Sequence, residues 1–244
     1  MMFSKAAPSE DPEYYDNLAS EQRKKGNRKK EAANLKKALE IRSSKLSEDD
    51  MGLIKNHHDL GIAYRLSGDA SHAAEELELA VQLCNRYHPG ETDLIADSLL
   101  NLAYVNIDLK KNDAAEDCLD RCLKVRKSEK ERNNRELSKV YEAYAELCRV
   151  VGNPQKRWDY ANMRVEEAKK VQPVDEPLIV NALFHRAKAE YNHGLFEQCE
   201  VTLLECQARL YSFPVPDKKM ESTIDDSLRV IERKLKNKDK KGFF

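Results

Sequence analysis

Residues 60–83 read LGIAYRLSGDASHAAEELELAVQL, and their apolar and small residues recur at intervals of three, four and seven on both sides of Gly68. That spacing lays one buried stripe along each of two helices. Glycine suits the turn between them, because it closes a helix C-terminus in the left-handed conformation. The pattern returns with a period of 42 residues: Gly26, Gly68, Gly152 and Gly194 fall on it, and the ruled position between them without a glycine is Lys110. Seven residues before each ruled position stands a small residue, namely Ala19, Gly61, Ala103, Ala145 and Ala187. Just before these come Leu18, Leu60, Leu102, Tyr144 and Arg186, and nine residues after each ruled position come Leu35, Leu77, Leu119, Ala161 and Leu203. A small residue on the first helix admits its partner closely, and Ala38, Ala80, Cys122 and Cys206 provide clearance on the second.

The repeating unit is therefore a helical hairpin, present five times. No hairpin buries its stripe alone, so the pattern predicts an all-α solenoid. The expected organisation is an N-terminal tail over 1–11, units at about 12–48, 49–90, 91–132, 133–174 and 175–212, a capping helix over 218–238 and a basic, aromatic tail over 239–244. Leu228, Ile231 and Leu235 space the stripe of the capping helix, with Ser222 or Thr223 expected to cap its start. The fourth unit strains the pattern, because Arg157 and Arg164 fall where small residues are wanted. A shift of four residues brings Ala161, Val165, Ala168 and Pro173 into place, which predicts one extra turn in GNPQKRW and a shorter connector after it.

Composition narrows the function classes. Lys+Arg number 42 against Asp+Glu 43, which disfavours a nucleic-acid binder. No apolar signal-peptide core and no run of about 18 apolar residues occurs, so a cytoplasmic protein with no membrane span is expected. The six cysteines then read as reduced thiols. No phosphate loop, dinucleotide fingerprint, His-Glu-x-x-His or Gly-x-Ser-x-Gly motif is present, so neither catalytic residues nor a cofactor is proposed. Cys118 and Cys122 lie one turn apart without a second pair at zinc spacing, and no metal site is assigned.

Leu60, Gly61, Tyr64, Gly68, Ala73, Leu77 and Ala80 match the pattern of the tetratricopeptide repeat (TPR) family. The 42-residue length and the segment RYHPGETDLIADSLLNLAY at 86–104 resemble the subclass of kinesin light chains and nephrocystin-type proteins, over roughly residues 12–212. The resemblance implies a right-handed superhelix whose first helices line a concave groove that binds a peptide of a protein partner. The family's groove positions fall on Lys55, His58, Asp59 and Arg65 in the second unit and on Asp97, Asn101, Tyr104 and Asp108 in the third. In the fourth they fall on Lys139, Glu142, Glu146 and Arg149, and in the fifth on Asn181, Phe184, His185, Lys188, Tyr191 and Asn192. Asn17 and Asn101 match asparagines that hold peptide backbone in kinesin light chains, as an amide offering both donor and acceptor can.

Departures limit the carry-over. The asparagine position holds Asp59, Ala143 and His185 in the other units, the groove is mixed in charge, and no heptad segment for a coiled coil is present. Asp16 and Ser20 stand where chaperone-binding repeats have lysine and asparagine. The expectation is a non-enzymatic adaptor or scaffold using the groove. The alternative is a structural subunit of a cytoskeletal or ciliary assembly using its outer faces and ends. The acidic, aromatic EDPEYYD is a candidate to fold back into the groove.

Overall fold

The computed structural model describes residues 10–129, 131–214 and 217–241, with side chains described as far as residue 237. The expected tails at 1–11 and 239–244 thus lie largely outside the described residues. Among the described residues the chain is all helical, and it divides into two compact units at 129/130.

The first unit contains α1 (Pro12–Lys24), α2 (Arg28–Ser43), α3 (Met51–Ser67), α4 (Ala70–Tyr87), α5 (Thr92–Asp108) and α6 (Asn112–Ser128). The second contains α7 (Asn134–Val150), α8 (Pro154–Lys169), α9 (Glu176–His193), α10 (Phe196–Tyr211) and α11 (Lys218–Lys241). Within each unit every helix packs on the next, which makes three antiparallel hairpins in the first and two hairpins capped by α11 in the second; α3 also touches α5 directly.

Local chemistry sets these boundaries. Asp11, Asp50, Asn133 and Asp175 cap α1, α3, α7 and α9, and Asp69 and Asn153 cap α4 and α8, each accepting from a backbone N–H of the first turn. At the turns the ruled residues are left-handed, with φ of 73°, 86°, 74° and 80° at Gly26, Gly68, Gly152 and Gly194. Lys110 takes the same conformation, at φ 58°. The hydrogen bonding is shared as well: Asp69 N donates to Tyr64 O at 2.9 Å, and Lys111 N donates to Asn106 O at 2.8 Å. The fold demands that backbone shape whatever residue supplies it.

Second helices begin at 28, 70, 112, 154 and 196, on the 42-residue period throughout. The fourth unit therefore carries no extra turn and its connector is not shortened, contrary to the shifted reading of GNPQKRW. Arg164 stays at the small-residue position, buried, because Asn181 Oδ1 accepts from its Nη2 at 2.6 Å and Glu142 Oε2 lies 3.1 Å away. Ala161 replaces the usual leucine, and the Tyr160 ring stacks 4.6 Å from Tyr144 beside it. The start of α11 also differs from expectation. Asp217 Oδ1 accepts from Lys219 N and Met220 N, while Ser222 and Thr223 lie inside the helix.

The small-residue rule is sharpest at Gly61, where a Cβ would lie 2.6 Å from Leu77 Cγ. The stretch EDPEYYD is α1's own first turns. Asp11 caps that helix, Tyr15 is buried, and Asp16 pairs with Arg42, so it is committed to the first hairpin and does not fold back into a groove.

Candidate functional site

In the first unit, Lys55 and Asp59 border a polar recess of about 300 Å³ together with Asp16, Arg23, Arg42 and Asn56. Salt bridges already occupy much of it: Arg42 holds Asp16, donates to Asn56 Oδ1 at 2.8 Å, and Arg23 lies 3.8 Å from Asp59. Further along, His58 Nδ1 lies 2.8 Å from Ser98 Oγ, and burial lowers the His58 pKa against the pull of Asp59 and Asp97. Arg65 lies over the Tyr104 ring, 5.4 Å from its centroid, and burial lowers its pKa while Tyr104 and Asp108 oppose the change. Asn101 Nδ2 donates to Asp97 O at 2.8 Å within its own helix, and Asn17 is exposed on α1. Asp97, expected in the groove, accepts at 2.6 Å from the buried Arg126, which also holds Asp93 and Glu129.

The second unit brings more of the expected residues together. A cavity of about 530 Å³ is walled by Phe184, Lys188, Tyr191 and Asn192 of α9, floored by Cys199 and Leu203 of α10, and flanked by Arg149 and Arg157. Ser227, Val230 and Ile231 of α11 form the facing wall. The α9 residues share a face because they sit three, four and seven apart. Lys188 Nζ lies over the Phe184 ring at 4.4 Å from its centroid, and Tyr191 meets Phe196 edge-on at 5.6 Å. Arg149 donates twice to Glu146, at 2.8 and 2.6 Å.

The charge at this site is predominantly positive. Burial lowers the Arg157 pKa, Glu146 partly offsets it, and Arg149 reinforces it. The His185 pKa falls to about 4, chiefly through burial and then through Arg164, Lys188 and Arg157. His185 is therefore neutral at pH 7. An apolar floor beneath Arg149, Arg157 and Lys188 is suited to an apolar side chain next to a carboxylate.

Of the groove residues expected from sequence, Arg149, Phe184, Lys188, Tyr191 and Asn192 line this cavity, and His185 stands near it electrostatically through Lys188 and Arg157. Asn181 serves the buried Arg164 instead. Lys55, His58, Arg65, Asn101, Tyr104 and Asn17 belong to the first unit, in the surroundings described above. Two contributors were missed. Arg157 stands out in the sequence as a misfit in the repeat, and a long cation at a small-residue position is itself the signal for it. The α11 wall was missed because a capping helix follows no repeat register. No group of three or more potential metal ligands occurs among the described residues, and no helix there is long and apolar enough to cross a membrane.

Residues 12–45 and 96–129 match the family model described as tetratricopeptide repeat. No curated protein matches the sequence. Among solved structures, the nearly identical TPR-like repeats of a kinesin light chain-type protein of Podosopora anserina share 19% identity at a TM-score of 0.66, covering 82% of this chain and 97% of that one. BtubC (BKLC) from P. vanneervenii shares 19% identity at a TM-score of 0.71, over 84% of this chain and 83% of its own. Aspartyl phosphate phosphatase F from Bacillus subtilis is similar at 11% identity and a TM-score of 0.61, over 91% of this chain and 59% of that one. At these identities the likeness speaks for the fold.

Proposed function

We propose that this tetratricopeptide-repeat protein, with the fold of kinesin light chain-like repeats, is a non-enzymatic adaptor that holds a segment of a partner protein against the α9 face of its second unit. One observation carries the reading: Phe184, Lys188, Tyr191, Arg149 and Arg157 converge on a single cavity with an apolar floor. Burying one apolar side chain there contributes about 1.5–3 kcal/mol. A charge-assisted hydrogen bond from a cation on the rim contributes about 1.5–3 kcal/mol more. Backbone contacts add to these, and the expected affinity is micromolar, about −8 kcal/mol. Asn101, which bonds its own helix, and Tyr104, which lies beneath Arg65, belong to the first unit and do not line this cavity.

The test is selection of random peptides on the purified chain. The reading expects enrichment of peptides that place an acidic residue beside a large apolar one, with binding lost on Lys188→Glu or Tyr191→Ala. Enrichment of peptides indifferent to both variants rejects it.

A further inference from the structure

Arg157 is a charge that the second unit leaves unanswered. Its repeat position is filled by Ala73 in α4, Ala115 in α6 and Cys199 in α10, all small and buried. The first hairpin also places a charge there, Glu31 of α2, and the chain neutralises it internally. Glu31 is fully buried, with Arg23 at 2.5 Å and Arg28 at 2.8 Å. Arg157 is half-buried at the cavity, and among the described residues it makes no hydrogen bond or ion pair. Burial lowers its pKa, as it does for a cation short of a counter-ion. The neighbouring charges are otherwise matched: Arg149 donates twice to Glu146, and Arg164 has Glu142 at 3.1 Å. Lys188 meets the face of Phe184, and no carboxylate lines the cavity among the described residues. Arg157 and Lys188 thus leave two positive charges uncompensated beside an apolar floor.

We infer that this cavity takes a phosphotyrosine side chain of the partner segment, its phosphate held by Arg157 and Lys188 and its ring laid on Leu203 and Ile231. The inference rests on the adaptor reading and names the chemistry that the cavity selects. Charge selects the phosphate. A carboxylate answers one of the two positive charges, whereas a phosphomonoester carries about −1.5 to −2 at pH 7 and offers three acceptor oxygens. Both cations can then donate to one group, in charge-assisted bonds stronger than neutral ones. Shape selects the aromatic body. Arg157 comes from the hairpin before α9, while Val230 and Ile231 come from α11, which packs after α10. The cation therefore stands at one side of the cavity and the apolar wall of α11 at the other. An occupant that spans it carries its anion at the far end of a rigid apolar body, and phosphoserine has no such body. The rings of Phe184 and Tyr191 beside the floor favour edge or offset contact with another ring.

NMR titration of the full chain with the blocked peptide acetyl-Ala-Ala-phosphotyrosine-Ala-Ala-amide tests this, with its tyrosine, phosphoserine and glutamate versions and inorganic phosphate as comparisons. The phosphotyrosine peptide is expected to bind roughly tenfold or more tighter than each of them. Arg157→Ala, which supplies the residue that α4 and α6 carry at this position, removes that advantage while leaving the tyrosine peptide's affinity and the melting temperature undiminished. The bound phosphate also raises the His185 titration midpoint from about 4, because it offsets Lys188 and Arg157, two of the cations that depress it. Equal binding of the tyrosine and phosphotyrosine peptides, both lost on Tyr191→Ala, overturns the phosphate assignment and leaves the adaptor reading standing. A phosphoserine peptide, a glutamate peptide or inorganic phosphate that binds as tightly overturns it, as does an advantage that survives Arg157→Ala. Binding of none of these peptides overturns it as well, and the adaptor reading is then decided by the random-peptide selection alone.

Discussion

Lys110 is the ruled residue that lacks a glycine yet takes the glycine conformation, and Lys110→Gly isolates what that conformation costs. A left-handed backbone costs an L-residue about 1–2 kcal/mol. Glycine removes this cost but loses more chain entropy on folding, which offsets about 0.5–1 kcal/mol. Lys110 is exposed and its backbone N–H already donates to Ile107 O at 3.0 Å, so no packing or hydrogen bond changes with the substitution. The net expectation is a gain of roughly 0.5–1 kcal/mol, or about 2–4 °C in the melting of a unit of this size. Gly68→Ala is the reciprocal control: φ is 86° and a Cβ there meets nothing within 4 Å, so the loss of about 1 kcal/mol is one of backbone conformation alone. Urea unfolding followed by circular dichroism reads both. A neutral or destabilising Lys110→Gly, or a harmless Gly68→Ala, refutes the idea that the period reflects a required backbone shape.

Three further expectations follow. Gly61→Ala forces its Cβ against Leu77 and its backbone, and overpacking of that kind costs about 1–3 kcal/mol by chemical denaturation, whereas Ala103→Gly at the matching position lacks the clash. Arg126→Met leaves Asp93, Asp97 and Glu129 without this cation; because Asp93 is largely exposed and Asp97 about half exposed, while Glu129 is mostly buried, the loss is expected at about 2 kcal/mol, below the 3–5 typical of a fully buried pair, and it shrinks at high salt. His185 is expected to titrate near pH 4 by NMR. Its folded pKa lies below the unfolded value, so its stabilising contribution is present above about pH 6.5 and lost as pH falls toward 4; a midpoint above pH 6 contradicts the electrostatics described for the α9 face.

The hairpin array was legible because the period is carried by residues with strong individual constraints, such as Gly68 at a left-handed turn and Gly61 against Leu77. The frame of α8 was not. A displacement of four residues is nearly one helical turn, so both frames bury Ala161, Val165 and Ala168, and the hydrophobic pattern cannot choose between them. What decides is long-range pairing of Arg164 with Glu142 and Asn181, which no spacing reveals. The cap of α11 was misplaced for a simpler reason. Asp217, Ser222 and Thr223 are all competent caps, and only the backbone shows which one precedes the first turn. Among the candidate site residues, those on α9 shared a face legibly, but their meeting with Val230 and Ile231 depends on where α11 docks.

The most direct test of the adaptor reading is a double-mutant cycle between Lys188 and the acidic residue of a selected peptide, measured by calorimetric titration. The account predicts that Lys188→Glu loses the acidic peptide, that its lysine-substituted counterpart binds the variant, and that the coupling is about 1 kcal/mol or more. Coupling near zero, with both peptides bound equally by wild type and variant, contradicts a peptide-reading cavity at the α9 face.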